Sequence, residues 1–303
     1  MTEYKNRGKG PEGHTTDIVN YVDPAMYEAD KIEHQGPKVT LVSATPQPLA
    51  VLAATFRMYE GKSALPHEMS KDDMLYIWEQ QMKTHLKAPL EFIDFQFLIE
   101  GVTRGFTHQL VRQRTAVFAQ ESMRFAVKEN MADEIELPPS IRPNSEEAAR
   151  WRNAIQVVSD TYRALVANGV PAEDARGLAP TAVRTKVHYK TNLRNLLEHV
   201  GMRLCTQAQF EWRIVISQMV NAIYSYHTSG DEWLDIDAWQ FQHIAMSKGF
   251  KPICFAKGGC VFEADQDRMC KIRDRMNNGE SDKVLDGEWL LDIHSARPTP
   301  KVK

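Results

Sequence analysis

Residues Ser145 to Gly169 constrain the fold more than any other stretch of the chain, because they can form little besides a long amphipathic helix. Asn144 or Ser145 can cap the helix, and Glu146 and Glu147 suit its positive N-terminal end. Trp151, Ile155, Val158, Tyr162 and Leu165 recur at steps of four and three, which makes one apolar stripe. Gly169 and Pro171 stop the helix. A stripe of that length needs a partner surface. Lys38 to Ser43 alternates polar and apolar residues and predicts a strand, followed by a turn at Thr45-Pro46-Gln47-Pro48. Leu49 to Tyr59 and Lys71 to His85 read as helices, Glu91 to Glu100 is apolar and aromatic, and residues 133–145 hold three prolines and read as a loop. A second long helix is expected from Thr191 to Tyr226, with Gly201 as its weak point.

Length and charge exclude several functions. The 303 residues, 43% hydrophobic and 25% charged, suit a globular chain and not a disordered one. No run approaches the ~18 apolar residues of a membrane span, and Met1 to Pro11 lacks the apolar centre of a signal peptide, so a cytoplasmic protein without a membrane partner is expected. A net charge of −3 argues against a general nucleic-acid binder. Residues 1–37, rich in Gly, Pro, Lys and Glu, are expected to form an arm with few ordered contacts, residues 38–230 the main domain, and residues 231–303 a mixed and then polar extension.

Three motifs fail on their context. Gly8-Lys9-Gly10-Pro11-Glu12-Gly13 has the letters of a dinucleotide loop but no strand before it or helix after it. Gly61-Lys62-Ser63 resembles the end of a phosphate-binding loop, but Phe56 stands where that loop needs glycine. Cys254, Cys260 and Cys270 are separated by five and nine residues and match no common zinc pattern, so free thiols and no metal are expected.

Arginines carry the functional signal. Arg104, Arg112, Arg114 and Arg124 fall within 21 residues, with Glu121 as the sole acid among them. Guanidinium forks match phosphate oxygens, so the cluster points to an anionic ligand as readily as to structural salt bridges. Downstream, Arg176 to Pro180 precedes Arg194, Arg203 and Arg213. These last three are spaced nine and ten apart on one expected helix, so they face different ways and should serve different partners.

The two stretches together resemble the flavin-dependent thymidylate synthase family (ThyX). Its signature is Arg-His-Arg, seven residues, then Ser; here Arg112-Gln113-Arg114 is followed after seven residues by Ser122, with Gln113 in place of His. Pro89-Leu90-Glu91, Gln109, Ser122-Met123-Arg124-Phe125, Arg176 to Pro180, Asn192-Leu193-Arg194, Met202-Arg203 and Ala208-Gln209 continue the likeness in order over roughly residues 38–228. Phe92 stands where many relatives have His, Glu198 where they carry His or Asn, and Gln207 where some use His.

The resemblance implies an α/β (α+β) fold, a mixed sheet with long helices, and a homotetramer whose active sites lie between subunits. It implies FAD as cofactor, with NADPH and methylenetetrahydrofolate as co-substrates, and dUMP as substrate. By the same resemblance Gln109, Arg112, Gln120, Glu121, Ser122, Met123, Arg124, Arg176 and Arg203 hold dUMP, with Arg203 as the catalytic charge beside the pyrimidine. Glu91, Arg112, Gln113, Arg114, Asn192, Arg194 and Glu198 face FAD, although an acid at position 198 would be repelled by its phosphates. No Pro-Cys-His segment of the cysteine-dependent thymidylate synthases is present. An enzyme modifying a related pyrimidine nucleotide, such as one making a 5-hydroxymethyl product, and a degenerate nucleotide-binding protein share these features.

Overall fold

Strand β2 (Asp94–Thr103) sets the architecture by its two-residue period. Phe95, Phe97 and Ile99 are fully buried, while Gln96, Leu98 and Glu100 between them are half-buried. Strand β4 (Arg184–Asn192) repeats the pattern, with Thr185, Val187, Tyr189 and Thr191 buried and Lys186, His188 and Lys190 exposed. Phe97 sits opposite Tyr189, so the buried faces match. β1 (Lys38–Ala44) flanks β2, and β3 (Val117–Gln120) flanks β4, giving the order β1-β2-β4-β3. The computed structural model describes residues 36–260, apart from 136, 139, 142–143, 206, 229–236 and 255–258. The expected N-terminal arm up to residue 35 and the extension beyond 260 lie outside the described residues.

Every strand pair is antiparallel, which corrects the expectation of a mixed sheet. Parallel neighbours need crossover helices to carry the chain back. Here helices fill the intervals between strands, but each strand returns antiparallel to its neighbour. Helices α1 (Pro48–Arg57), α2 (Lys71–Lys83), α6 (Leu193–Arg203) and α7 (Phe210–Tyr224) share one core with the sheet's buried face. Leu49, Leu52, Ile77, Trp78, Leu196 and Trp212 pack in it with Phe95, Phe97 and Tyr189. Gly101 breaks the β2–β4 register with φ 68°, a left-handed conformation that glycine adopts without steric cost. Two residues later Thr103 starts α3 (Arg104–Leu110), its Oγ1 accepting from the Phe106 N–H at 3.0 Å.

Helix α4 (Glu146–Ala167) forms where the stripe predicted it, with Ser145 Oγ accepting from the Ala148 N–H at 3.2 Å. Its Tyr162 is fully buried and joins Met123, Met131, Ala175 and Val183 in a second, smaller core. Ala175 closes α5 (Ala172–Ala175), and α8 (Ala238–Ala245) packs on α7. The expected single helix over Thr191 to Tyr226 is two helices, α6 and α7, parted at Leu204–Gln209. Gly201 does not break it. It is buried inside α6, where an added Cβ would lie 3.5 Å from the Lys251 carbonyl. The reason for the real break is tertiary: the Arg203 guanidinium lies 4.7 Å over the Trp212 ring. On one straight helix nine residues span about 13 Å along the axis, so that contact requires the chain to turn. Arg213 therefore sits on a different helix from Arg194 and Arg203.

Candidate active site

Three groups of side chains gather the predicted residues. The first lies where α3, α6 and α7 meet. Gln109 is the next-to-last residue of α3, Arg203 ends α6, and Trp212 lies in the first turn of α7. The Trp212 indole donates to Gln109 Oε1 at 3.0 Å, and Arg203 Nη1 donates to the same oxygen at 3.5 Å. Gln109 Nε2 donates to Gln209 Oε1 at 2.5 Å. Arg203 Nε is buried with no hydrogen-bond partner among the described residues. Burial also pulls the Arg203 pKa down, as desolvation does to any cation. A half-buried guanidinium with an unspent Nε donor is suited to an anion.

The second group lies after β3. Ser122 opens a turn: its carbonyl accepts from Ala126 N at 2.9 Å, and its Oγ from Arg124 N at 3.3 Å. Arg124 Nε reaches Glu173 Oε2 at 3.1 Å, and Arg176 Nε donates to the Glu173 carbonyl at 3.1 Å. Glu173 thus draws both arginines to one place at the surface. Glu121 and Met123 point elsewhere. Glu121 accepts from Lys128 Nζ at 3.0 Å, and Met123 is buried in the smaller core. Burial lowers the Lys128 pKa, but hydrogen bonds to Glu134 and Glu121 outweigh it and hold the ammonium charged. Gln120 Nε2 ties β3 to α3 through Thr107 Oγ1 at 2.9 Å. No hydrogen bond among the described residues joins Arg124 or Arg176 to Arg203.

The third group surrounds the start of α6 and the loop after α3. Asn192 caps α6, its Oδ1 accepting from Asn195 N at 3.0 Å. Arg194 pairs with Glu91 at 2.5 Å and with Glu198 at 3.4 Å. The Glu91 bond first and Glu198 second raise its pKa. Glu198 is thus matched to a guanidinium, which offsets the repulsion that a lone acid would exert on a phosphate. Gln113 Oε1 accepts from the Tyr189 hydroxyl at 2.6 Å. Burial pushes that phenol up to about 12, so it remains a donor. Arg112 and Arg114 are exposed and have no ionic partner among the described residues, which fits them to a phosphorylated cofactor.

Several site residues escaped the sequence reading. Glu211 is buried, accepting from Thr103 N at 2.5 Å and Thr103 Oγ1 at 2.6 Å. His199 packs edge-on to Trp212 at 4.8 Å between ring centroids. The available signal was an acid and an indole inside the apolar run Phe210 to Val220, where polar groups need buried partners. Among the described residues no three His, Cys, Asp or Glu side chains gather as a metal site, and no helix is long and apolar enough to cross a membrane. Cys205, Cys254 and Cys260 are partly buried, and Cys270 lies outside the described residues.

A family model described as thymidylate synthase complementing protein matches residues 40–227. The flavin-dependent thymidylate synthase of Geobacter sulfurreducens is 34% identical over 189 residues, covering 61% of this chain and 82% of that one. That of Pyrococcus abyssi is 35% identical over 198 residues, covering 61% and 78%. Among solved structures, the UMP/dUMP methylase PolB from Streptomyces cacaoi, bound with 5-Br dUMP, superimposes with a TM-score of 0.50 at 20% identity. It covers 61% of this chain and 89% of that chain, and at such identity the likeness concerns the fold alone.

Proposed function

The chain belongs to the thymidylate synthase complementing protein family, and from that premise we propose that it is a flavin-dependent thymidylate synthase. It converts dUMP to dTMP, with methylenetetrahydrofolate as carbon donor and NADPH as reductant. FAD, when bound, carries the redox chemistry and supplies the hydride that completes the methyl group. Arg112 and Arg114 hold its phosphates, with Gln113, Asn192, Arg194, Glu91 and Glu198 framing that side of the site.

The protein's own residues then have defined tasks. Arg124 and Arg176 neutralise the dUMP phosphate, and the Ser122 turn presents Arg124. Gln120, Glu121 and Met123 hold that turn in place from behind. Gln109 and Arg203 meet the pyrimidine. Ionisation at N3 places negative charge on N3 and the ring oxygens, and that ionised ring is the form whose C5 is nucleophilic. The Arg203 guanidinium stabilises that charge without reorganising, because it is already half-buried and stacked on Trp212. This buried, unspent donor is the observation that carries the reading.

We place the site between subunits of a homotetramer. No hydrogen bond among the described residues joins the Arg124 and Arg176 pair to Arg203, and beside Arg124 the Phe125 side chain is 82% exposed, an aromatic ring that a neighbouring copy would cover. Residues 38–230 form the catalytic domain, flanked by the arm 1–37 and the extension 231–303. In this reading the enzyme acts in the cytoplasm. The test is turnover of dUMP with methylenetetrahydrofolate and NADPH, analysed by product mass. The expected result is a yellow protein that bleaches with NADPH and yields dTMP. A 5-hydroxymethyl product, or a colourless protein that only binds nucleotide, overturns it.

A further inference from the structure

An amide has two unlike ends: its oxygen accepts and its nitrogen donates. Which end of Gln109 faces a ligand is decided by its neighbours. Gln109 Oε1 accepts from Trp212 Nε1 and Arg203 Nη1, both donor-only groups that can bond to an oxygen and never to the amide nitrogen. Gln109 Nε2 donates to Gln209 Oε1. The Gln209 amide is oriented in turn, because its Nε2 donates to Glu211 Oε2 at 3.3 Å. Glu211 is a buried carboxylate, acceptor-only when ionised, and both its oxygens are engaged by Thr103. A chain of fixed polarity therefore runs from Glu211 through Gln209 to Gln109. Flipping Gln109 would set its NH₂ against two donors and its oxygen against the Gln209 oxygen.

The first turn of α7 also grips α3 at both ends. Glu211 holds Thr103, the N-cap of α3, and Trp212 holds Gln109 near its C-terminus while packing on Phe106 at 4.3 Å between ring centroids. The base-reading helix is thus set in place by two residues, neither of which the sequence motif includes.

We infer that Trp212 and Glu211 are positioning residues that lock the Gln109 amide with its remaining N–H toward the nucleotide base, and that this lock makes the site select uracil over cytosine. The inference rests on the reading of Gln109 and Arg203 as dUMP contacts. With the lock in place, both side chains offer only donors. Uracil ionised at N3 presents acceptors along its whole pairing edge, whereas cytosine carries an amino donor at position 4. That donor would face N–H groups with no acceptor to meet it. If Gln109 could flip, its oxygen would accept from the cytosine amino group and the discrimination would fall.

The test uses the full-length flavoprotein with dUMP and dCMP as probes. Trp212→Phe keeps an aromatic ring beneath Arg203 but removes the N–H. It should raise the KM for dUMP about five- to tenfold, leave kcat and flavin content nearly unchanged, and narrow the preference for dUMP over dCMP in binding. In a Gln109→Ala background, Trp212→Phe should add nothing, because the N–H that it removes meets only Gln109. Glu211→Gln, which supplies a group able to accept or donate, should narrow the same preference, and it carries the cycle if Trp212→Phe fails to fold. Additive losses in the double variants, or an unchanged dUMP-to-dCMP preference in both single variants, overturn the inference. A wild-type protein that binds neither dUMP nor flavin would instead overturn the functional reading beneath it.

Discussion

Arg203 and Arg176 are the same side chain in two settings. Arg203 is half sunk between α6 and α7, with an indole against it, a buried Nε without a partner among the described residues, and a pKa lowered by burial. Arg176 lies near the surface beside the exposed Arg124–Glu173 pair, bonded to the Glu173 carbonyl. Coulomb interactions strengthen several-fold as water is excluded, and only the exposed ones are screened by salt. The comparison teaches that one set of arginines supplies binding that responds to solvent, while the other supplies a preorganised charge at the reacting ring.

Arg203→Ala is the strongest attempt to break that contrast. Turnover of dUMP should fall ~10²–10³-fold while bound FAD, read from its absorbance, is retained. Near wild-type turnover would leave the buried charge without a catalytic role.

The next effect concerns stability around the same arginine. His199 lies on the Trp212 ring, and its pKa is pushed down to about 4, by burial first and the Arg203 charge second. The unfolded chain binds this proton near 6.5, so the folded state binds fewer protons between the two values. Stability from His199 is therefore complete above about 6.5 and is lost as pH falls toward the folded value, on the order of 3 kcal/mol at most. Denaturant unfolding from pH 7 to pH 4 should show this slope, and His199→Phe should flatten it. An unchanged slope would mean that the Arg203 side of the site is wetter than its burial indicates.

Arg176→Ala sharpens the other half of the comparison. It should raise the KM for dUMP roughly tenfold at low salt with kcat little changed, and the gap to wild type should close as ionic strength rises. A fall in kcat with no change in KM would assign Arg176 to the reacting ring instead.

The smallest effect belongs to Gln113. The Tyr189 hydroxyl needs only an acceptor, and a neutral imidazole nitrogen can replace the amide oxygen. Gln113→His should change turnover by no more than about twofold, as for other exchanges that leave packing intact. A large gain in both flavin content and turnover would show that the native glutamine limits the enzyme.

Much of this was legible before folding was considered. The α4 stripe, its Ser145 cap, the alternation in β1 and the ordered arginine motifs are local patterns, set by steps of two, three and four residues and by short spacings. The motif order led to the family over the residues that the family model matches. What local pattern could not carry was the antiparallel sheet, the break between α6 and α7, and the side chains that aim Gln109. A continuous helical period runs through Leu204–Gln209 as easily as through α6, so nothing local announced the turn that brings Trp212 under Arg203.

The division has a physical cause. The chain's own spacing determined which residues are amphipathic, which are capped and which types of charge it carries, because those depend on neighbours a few positions away. The locking bonds of the site join Gln109 to Trp212 and Thr103 to Glu211, each across more than a hundred residues. Such bonds exist only once packing of α3 against α7 has excluded water and left each donor one acceptor to meet. That pairing is decided by the burial of both partners together, and neither partner's sequence surroundings contain it.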